Sequence, residues 1–513
     1  MANFNFYPMN GMTFRTQTVN LFAMLLLLYL PRHTEAESLP QSLGESRPNI
    51  VLIISDDHAW MDYGFMGNER VHTPNLDALA AKAARLPNSY VPSSVCRPSL
   101  ASILTGLYPH QHGIHFNHGP PGNSGYNRID SQTEYEKKRK IEFEWIGNYQ
   151  LLPRVLHEKG GYRCLQTGKF WEGHFRNGGF TEGMTTFSPP DPTQKYGGIR
   201  TLANGVQVAH GNGDTGLKIG RETMEPIRSF IQDCENDATP WFVWYAPYLP
   251  HLPHDAPDSY WKLMEQRPGV LPWEKPYYAS IAQFDSSVGE LMSMVDELSD
   301  TQKTIFIFLA DNGWRPSQNR SKNRKEEFNQ TIRSKRAPFD DGVRTPMLIC
   351  WEGVIPPQTD EGLASSVDIF PTLMSAAKIE NSSPTFASGI DLFSLLQEGK
   401  EIPSDRSVYG EIYPGDATSL SNPERDIAYR WIRKGKMKLI VPHPKVKTDP
   451  VAGASHSHKG SGSIIEAWNG YVKKPSLFNL ATDPYERLNL ASSPLYQKQL
   501  EDLLKRLNEW WTP

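Results

Sequence analysis

Two pairs of oxygen-bearing side chains carry the first chemical signal. Asp56-Asp57 follows the apolar run Asn49 to Ile54, and Asp311-Asn312 follows a second apolar run, Ile305 to Leu309. Carboxylate and amide oxygens gathered from two segments are what a hard cation such as Ca²⁺ or Mg²⁺ takes. Either pair alone also reads as residues capping a turn or helix. Cys96 lies in Ser93-Ser-Val-Cys-Arg-Pro-Ser-Leu100, where Pro98 opens a helix. A thiol in the positive field of a helix N-terminus has a lowered pKa and a neighbourhood that favours anions. A small buried core cysteine is the other reading. His251, in Tyr245-Ala-Pro-Tyr-Leu-Pro-His-Leu-Pro253, is fixed between prolines, and an imidazole's ordinary pKa near neutrality suits proton transfer. A purely structural histidine is the alternative there.

These residues need a frame, and the pattern around them supplies one. Continuous apolar runs mark strands covered on both faces, and in open α/β sheets ligands gather beyond the C-terminal ends of such strands. Further strands are expected at Trp241 to Tyr245, Thr304 to Leu309 and Met347 to Trp351. Helices are expected from Thr73 to Arg85, with Thr73 as N-cap and Pro74 at the first helical position, from Leu151 to Lys159 before Gly160-Gly161, and from Tyr277 to Leu298. The fold class is α/β, a large mixed, mostly parallel central sheet flanked by helices. Beyond about Glu401 the pattern changes to short strands, Ala428 to Arg433, Met437 to Val441 and Ser476 to Asn479, with a hairpin at Lys434-Gly-Lys436 and a closing helix from Leu495 to Trp510. We read residues 45–400 as the catalytic domain and 401–513 as a smaller antiparallel subdomain with one helix. Asp449 to Ser463, rich in Gly, Ser, His and Lys, reads as a solvated loop or one close to substrate.

Composition narrows the partners. At 513 residues, 38% hydrophobic and 21% charged, the chain can bury a large core. A net charge of −4 with nearly balanced acids and bases offers no basic face to a phosphate backbone, so nucleic acid is not expected as a partner. Residues 1–36 read as a signal peptide: the apolar run Leu21 to Leu30 is too short to span a bilayer and Thr34-Glu-Ala36 supplies small residues for cleavage, with Met12 a possible true start. Export to the periplasm or medium follows, without stable membrane insertion. Four cysteines, Cys96, Cys164, Cys234 and Cys350, are too few for a disulfide scaffold, and with Cys96 consumed by chemistry at most one disulfide could form.

Cys96-Arg-Pro-Ser-Leu100, continuing into Ile103-Leu-Thr-Gly106, resembles the sulfatase signature C-x-P-S-R, a formylglycine-dependent family within the alkaline phosphatase superfamily. The likeness extends along nearly all the chain after the signal. Arg47 to Asp57, His72 to Ala80, Leu104 to Gly113, Phe308 to Gly313 and Leu477 to Pro484 are similar to further family segments in the same order. The resemblance implies that a formylglycine-generating or equivalent maturation enzyme oxidises Cys96 to formylglycine, and that Asp56, Asp57, Asp311 and Asn312, with the modified Cys96, hold Ca²⁺ or Mg²⁺. Gly161 to Trp171 is similar to the second family signature and puts Lys169 on the lysine that contacts sulfate. His251 falls on the family's sulfate-binding histidine. Lys335, in Lys335-Arg-Ala-Pro-Phe-Asp-Asp-Gly-Val-Arg-Thr-Pro346, falls on a second active-site lysine, with Asp340-Asp341 in place of Glu-Gly.

Two departures bear on the chemistry. Leu100 stands where the family has an arginine, with Arg97 as a nearby charge, and Trp171 stands where it usually has a histidine, with His174 as a candidate replacement in substrate binding. The implied reaction is hydrolysis of a sulfate ester, probed against two rivals: a phosphonate or phosphate ester hydrolase of the same superfamily, and an inactive carbohydrate-binding relative. Trp60, Tyr63, Trp171 and Trp314 are candidates for stacking sugar rings, or for ordinary packing. A sulfated small molecule or polysaccharide is the expected substrate.

Overall fold

The computed structural model describes residues 47–189, 196–314, 333–380, 388–413, 418–443, 472 and 474–513. The signal-peptide segment and the Asp449 to Ser463 loop lie outside the described residues. The framework elements are β1 (Asn49–Ser55), α1 (Pro74–Lys82), β2 (Ala84–Tyr90), α2 (Cys96–Thr105), α3 (Gln132–Glu144), α4 (Leu152–Gly160), β3 (Arg163–Gly168), α5 (Glu225–Asn236), β4 (Trp241–Ala246), α6 (Lys275–Leu298), β5 (Thr304–Ala310) and β6 (Arg344–Cys350). They are followed by β7 (Ser407–Ile412), β8 (Tyr429–Lys434), β9 (Met437–Pro442), β10 (Ser476–Asn479) and α7 (Gln497–Trp510).

Among the described residues the large sheet runs β2, β6, β5, β1, β4, β3 through its middle, with two-residue strands Gln358–Thr359 and Glu182–Gly183 at its two ends. β1 is parallel to both β4 and β5, and β4 to β3. β6 alone runs against its neighbours, pairing antiparallel with β2 and β5. The expected mixed, mostly parallel sheet is therefore present. All seven residues of β1 are buried because successive side chains enter different layers. Ile50, Leu52 and Ile54 pack in the layer that holds α2 and α4, while Val51 and Ile53 pack in the layer that holds α1, α5 and α6. A strand in that position has no polar face to show, which is why the sequence reads as an unbroken apolar run.

Some boundaries differ from expectation for physical reasons. The first helix stops at Lys82 rather than Arg85, and Ala84 to Tyr90 turns into strand β2. Pro87 sits where the β2 and β6 register shifts between Leu86 and Ser89, a bulge that tolerates a residue without an N–H. Thr73 makes no side-chain cap; its hydroxyl accepts from Gly64 N at 2.8 Å and donates to Asp77.

The second sheet is antiparallel in the order β7, β8, β9, β10, with α7 packed on one face. Lys434 pairs with Met437, so the hairpin turn is Gly435-Lys436, and Gly435 takes the left-handed φ of 52° that the turn requires. The other face of this sheet, through Val408, Ile412, Trp431 and Ile440, belongs to the same apolar cluster as α2 and β1.

Candidate active site

Register puts the acidic pairs together. Ile54 lies beside Leu309 and Ser55 beside Ala310 in the parallel β1 and β5 pair, so Asp56 and Asp311 leave adjacent strands at the same edge. Asp311 N donates to Ser55 O at 2.9 Å, and Asp57 N donates to Asp311 Oδ1 at 3.1 Å. Asp57 has a φ of 59°, a left-handed turn that sends the second carboxylate back toward the first. α2 begins at Cys96 and ends where Gly106, at φ 69°, lets its N–H reach Ser102 O at 2.9 Å.

Asp56, Asp57, Cys96 and Asp311 are all buried, with ligand atoms within 4.8 Å of one another. Two lysines reach in. Lys169, on the loop after β3, donates to both oxygens of Asp56 at 2.6 Å and lies 3.0 Å from Cys96 Sγ. Lys335 bonds Asp57 Oδ1 and lies 3.1 Å from Cys96 Sγ. His251 presents Nε2 at 3.5 Å from Asp57 Oδ2, while its Nδ1 is 2.6 Å from Leu252 O. A carbonyl only accepts, so Nδ1 carries the proton and the neutral ring has its lone pair on Nε2.

The charge balance of this cluster is uneven. Burial would discharge Lys169, but Asp56, Cys96 and Asp311 hold its ammonium well above the ordinary lysine range. Burial likewise opposes the charge on Asp57, yet Lys335, with Lys169 behind it, holds that carboxyl well below the usual carboxylate range. Asp56 is pushed well up by burial against the pull of Lys169, with Asp311 and Asp57 adding like charge. Three carboxylates thus face two lysines. Asp57 Oδ2, Asp311 Oδ2 and Asn312 Oδ1 are buried without hydrogen-bond partners among the described residues. Unmet oxygens of this type beside surplus negative charge fit a hard divalent cation.

Cys96 departs from the reactive-thiol expectation. Burial, reinforced by Asp311 and only partly opposed by Lys169 and Lys335, pushes its pKa up to about 12. The helix N-terminus does not overcome that desolvation. As a plain thiol it would be protonated at neutral pH.

The remaining predicted residues divide clearly. Arg97 does not reach the cluster: it binds Glu172 at 2.9 and 2.6 Å and the Glu142 carboxylate and carbonyl, fully buried. Leu100 is core, 3% exposed, and contributes about 2 kcal/mol by burial rather than marking a vacant charge. His174 makes its contacts with Arg176 N and the Phe175 ring, away from the cluster. Of the four aromatic candidates, Tyr63, Trp171 and Trp314 are buried in packing, and only Trp60 is partly exposed, under Arg344 and bonded to Asp341. Asp340 binds Lys438 and its N–H donates to Glu486, tying β9 to the segment that carries Lys335. All four cysteines are unpaired. Tyr248 was not foreseen: Lys169 stands 5.3 Å over its ring and its hydroxyl is 3.5 Å from His251 Nε2. Its position inside the Tyr245 to Pro253 segment was the available signal, and nothing there separated it from a packing tyrosine.

Comparison with known proteins gives the same direction. The family model described as Sulfatase matches residues 48–379. Arylsulfatase A of Bos taurus is 28% identical over 465 residues, covering 87% of this chain and 84% of the relative. The ulvan-active sulfatase of Formosa agariphila is 25% identical over 508 residues, covering 93% and 84%. A solved structure in complex with its substrate D-glucosamine-2-N,6-O-disulfate superposes with a TM-score of 0.60 at 16% identity, covering 90% of this chain and 97% of the other.

Proposed function

We propose that this chain, which belongs to the sulfatase family and is a sulfuric ester hydrolase, acts on a sulfated carbohydrate through a formylglycine made from Cys96. The observation that carries this reading is the convergence of Lys169 Nζ and Lys335 Nζ on Cys96 Sγ at 3.0 and 3.1 Å inside the acidic cluster. Asp56, Asp57, Asp311 and Asn312 would hold Ca²⁺, with Mg²⁺ the alternative. When bound, the cation and the aldehyde derived from Cys96 supply an activated oxygen nucleophile and draw charge from the ester.

The chain's own groups do the rest. Lys169 and Lys335, charged and fixed before substrate arrives, neutralise the charge that grows on the sulfuryl oxygens, at no cost in reorganisation. Lys335 is the ready proton donor for the leaving oxygen. His251, neutral with its lone pair on Nε2, accepts a hydrogen bond or proton at that atom and passes to the donor form only after it is protonated. Burial of Asp56, Asp57 and Asp311 keeps bulk water from competing for their oxygens.

The substrate class rests on the relatives: one is named for ulvan and one solved neighbour holds a disulfated glucosamine. Export rests on the N-terminal address read from residues 1–36; among the described residues no helix is long and apolar enough to cross a membrane. The partner this reading requires is a formylglycine-generating enzyme or its equivalent.

The test is turnover of 4-nitrophenyl sulfate by chain produced together with a formylglycine-generating enzyme. We expect activity that Cys96→Ala removes. Faster turnover of 4-nitrophenyl phosphate or a phenylphosphonate ester would assign the site to phosphoryl or phosphonyl esters instead. No turnover of any of them by the matured chain would assign it to binding.

A further inference from the structure

The segment that carries His251 is short of backbone donors. Pro247, Pro250, Pro253 and Pro257 have no N–H to give, so carbonyl acceptors outnumber N–H groups along it. Two backbone bonds brace its start: Leu249 N donates to Pro247 O at 2.7 Å, and Asp56 N, at the end of β1, donates to Leu249 O at 2.9 Å. Among the described residues no backbone N–H meets the carbonyls of Tyr248, His251 or Pro253.

One side chain from a different loop meets all three. Arg221 Nη2 donates to Tyr248 O at 2.8 Å and to His251 O and Pro253 O at 3.4 Å each, and its Nε reaches Tyr248 O at 3.2 Å. Its Nη1 donates to Asp255 Oδ1 at 2.5 Å, so a single planar guanidinium spans the segment from Tyr248 to Asp255. The side chain is only 4% exposed and lies under the Tyr196 ring, 4.9 Å from its centroid. Gly220, at φ 70°, lets this loop approach: a Cβ there would come 2.5 Å from the Tyr245 hydroxyl and 3.0 Å from Pro247 Cβ.

The imidazole has little else to fix it. Its Nε2 lies 3.5 Å from both Asp57 Oδ2 and the Tyr248 hydroxyl, at the limit of hydrogen bonding, and its centroid is 4.2 Å from that of Tyr248. Its short bond, from Nδ1, goes to Leu252 O in the same loop and moves with it. The backbone beneath the ring therefore sets where Nε2 points, and Arg221 holds that backbone without bonding to the cluster around Cys96. We propose that Arg221 is a positioning residue for sulfate-ester cleavage: by gathering the carbonyls of Tyr248, His251 and Pro253 it keeps His251 Nε2 at the edge of the charged cluster. The inference rests on the proton-handling role given to His251 above. An arginine that only stabilised the fold would act whether or not His251 were present.

The test is a double-mutant cycle on phenyl sulfate, whose phenolate needs proton help more than 4-nitrophenolate does. kcat/KM, counted per folded molecule that carries the Cys96 aldehyde, is compared for the matured wild type, Arg221→Met, His251→Ala and the double variant. Misplacing a proton-handling group predicts a fall of about thirtyfold for Arg221→Met alone. In the His251→Ala background the same substitution should cost less than about twofold, because nothing is left to position. Arg221→Lys, with fewer donors, should recover to about fivefold below wild type, and it runs the same cycle if Arg221→Met does not fold. Equal falls with and without His251, or none in either, overturn the positioning role while leaving His251 its own. A His251→Ala enzyme within about twofold of wild type overturns the role of His251 and the positioning role together.

Discussion

The charge clusters around Cys96 and Arg97 are neighbours in sequence and opposites in electrostatics. Around Arg97 each carboxylate oxygen of Glu142 and Glu172 meets at least one donor, from Arg97, Arg139, Gly119 or Tyr126. Burial opposes the charge on Glu142, but Arg139 and Arg97 hold its carboxyl below the ordinary range. Around Cys96, among the described residues, three carboxylates face two lysines and three oxygens go unmet. In the first network every carboxylate oxygen is met, and it holds loops in place. The second keeps unmet atoms at a strand edge, where folding alone would remove them. Buried charge by itself therefore does not mark a site; several unmet oxygens converging beside surplus negative charge do.

That contrast predicts opposite mutant signatures. The largest effect is expected from Asp311→Asn, which removes one of the proposed cation ligands and one of the crowded carboxylates. kcat/KM on 4-nitrophenyl sulfate should fall about a thousandfold, while the urea midpoint holds or rises because burial and like charge already strain the Asp311 carboxylate. A lower midpoint with activity retained per folded molecule would erase the distinction. Arg97→Met should do the reverse, costing about 3–5 kcal/mol of stability in urea unfolding because Glu142 and Glu172 are left buried without their partner.

A third prediction concerns pH. Burial holds His118 well below its ordinary value of 6.5, helped by the nearby His210, Arg200 and Arg139, and burial does the same to His210 with Arg200 and Arg139. The unfolded chain then binds more protons than the folded one below about pH 6.5, so stability present above that value is lost as pH falls. The urea midpoint should decline from about pH 6.5 downward, by up to about 1.4 kcal/mol per pH unit for each histidine. A flat midpoint across that window would show both rings already protonated in the fold. The smallest effect belongs to His174→Ala: its side chain meets Arg176 N and the Phe175 ring and none of the cluster residues among the described residues, so aryl sulfate turnover should stay within about twofold of wild type.

Much of the catalytic frame was legible because its strands are buried on both faces. Asn49 to Ile54 and Ile305 to Leu309 read as strands covered on both faces, and their acidic endings, taken together, point to the cluster before any coordinate is known. β2 was missed because Ala84 to Tyr90 contains Arg85 and Pro87 and bends at a bulge, so no period of two survives. β7 was missed at Gly410, where Pro92 O and the Trp431 ring each come within 2.4 Å of where a Cβ would sit. The Cys96 environment was half legible. Proximity to a helix N-terminus could be read, whereas the desolvation that outweighs it depends on residues from α2, the loop after β3 and the Lys335 segment meeting in space. For the same reason Arg97 looked available to the site until Glu142 and Glu172, distant in sequence, turned out to hold it.

The state of Cys96 decides between a nucleophile made by oxidation and an inert buried thiol. Mass spectrometry of the peptide carrying Cys96, from chain produced with an active formylglycine-generating enzyme, should show the aldehyde or its hydrate as the major species. Unmodified thiol alone, in cells where a control sulfatase is converted, would contradict the formylglycine mechanism.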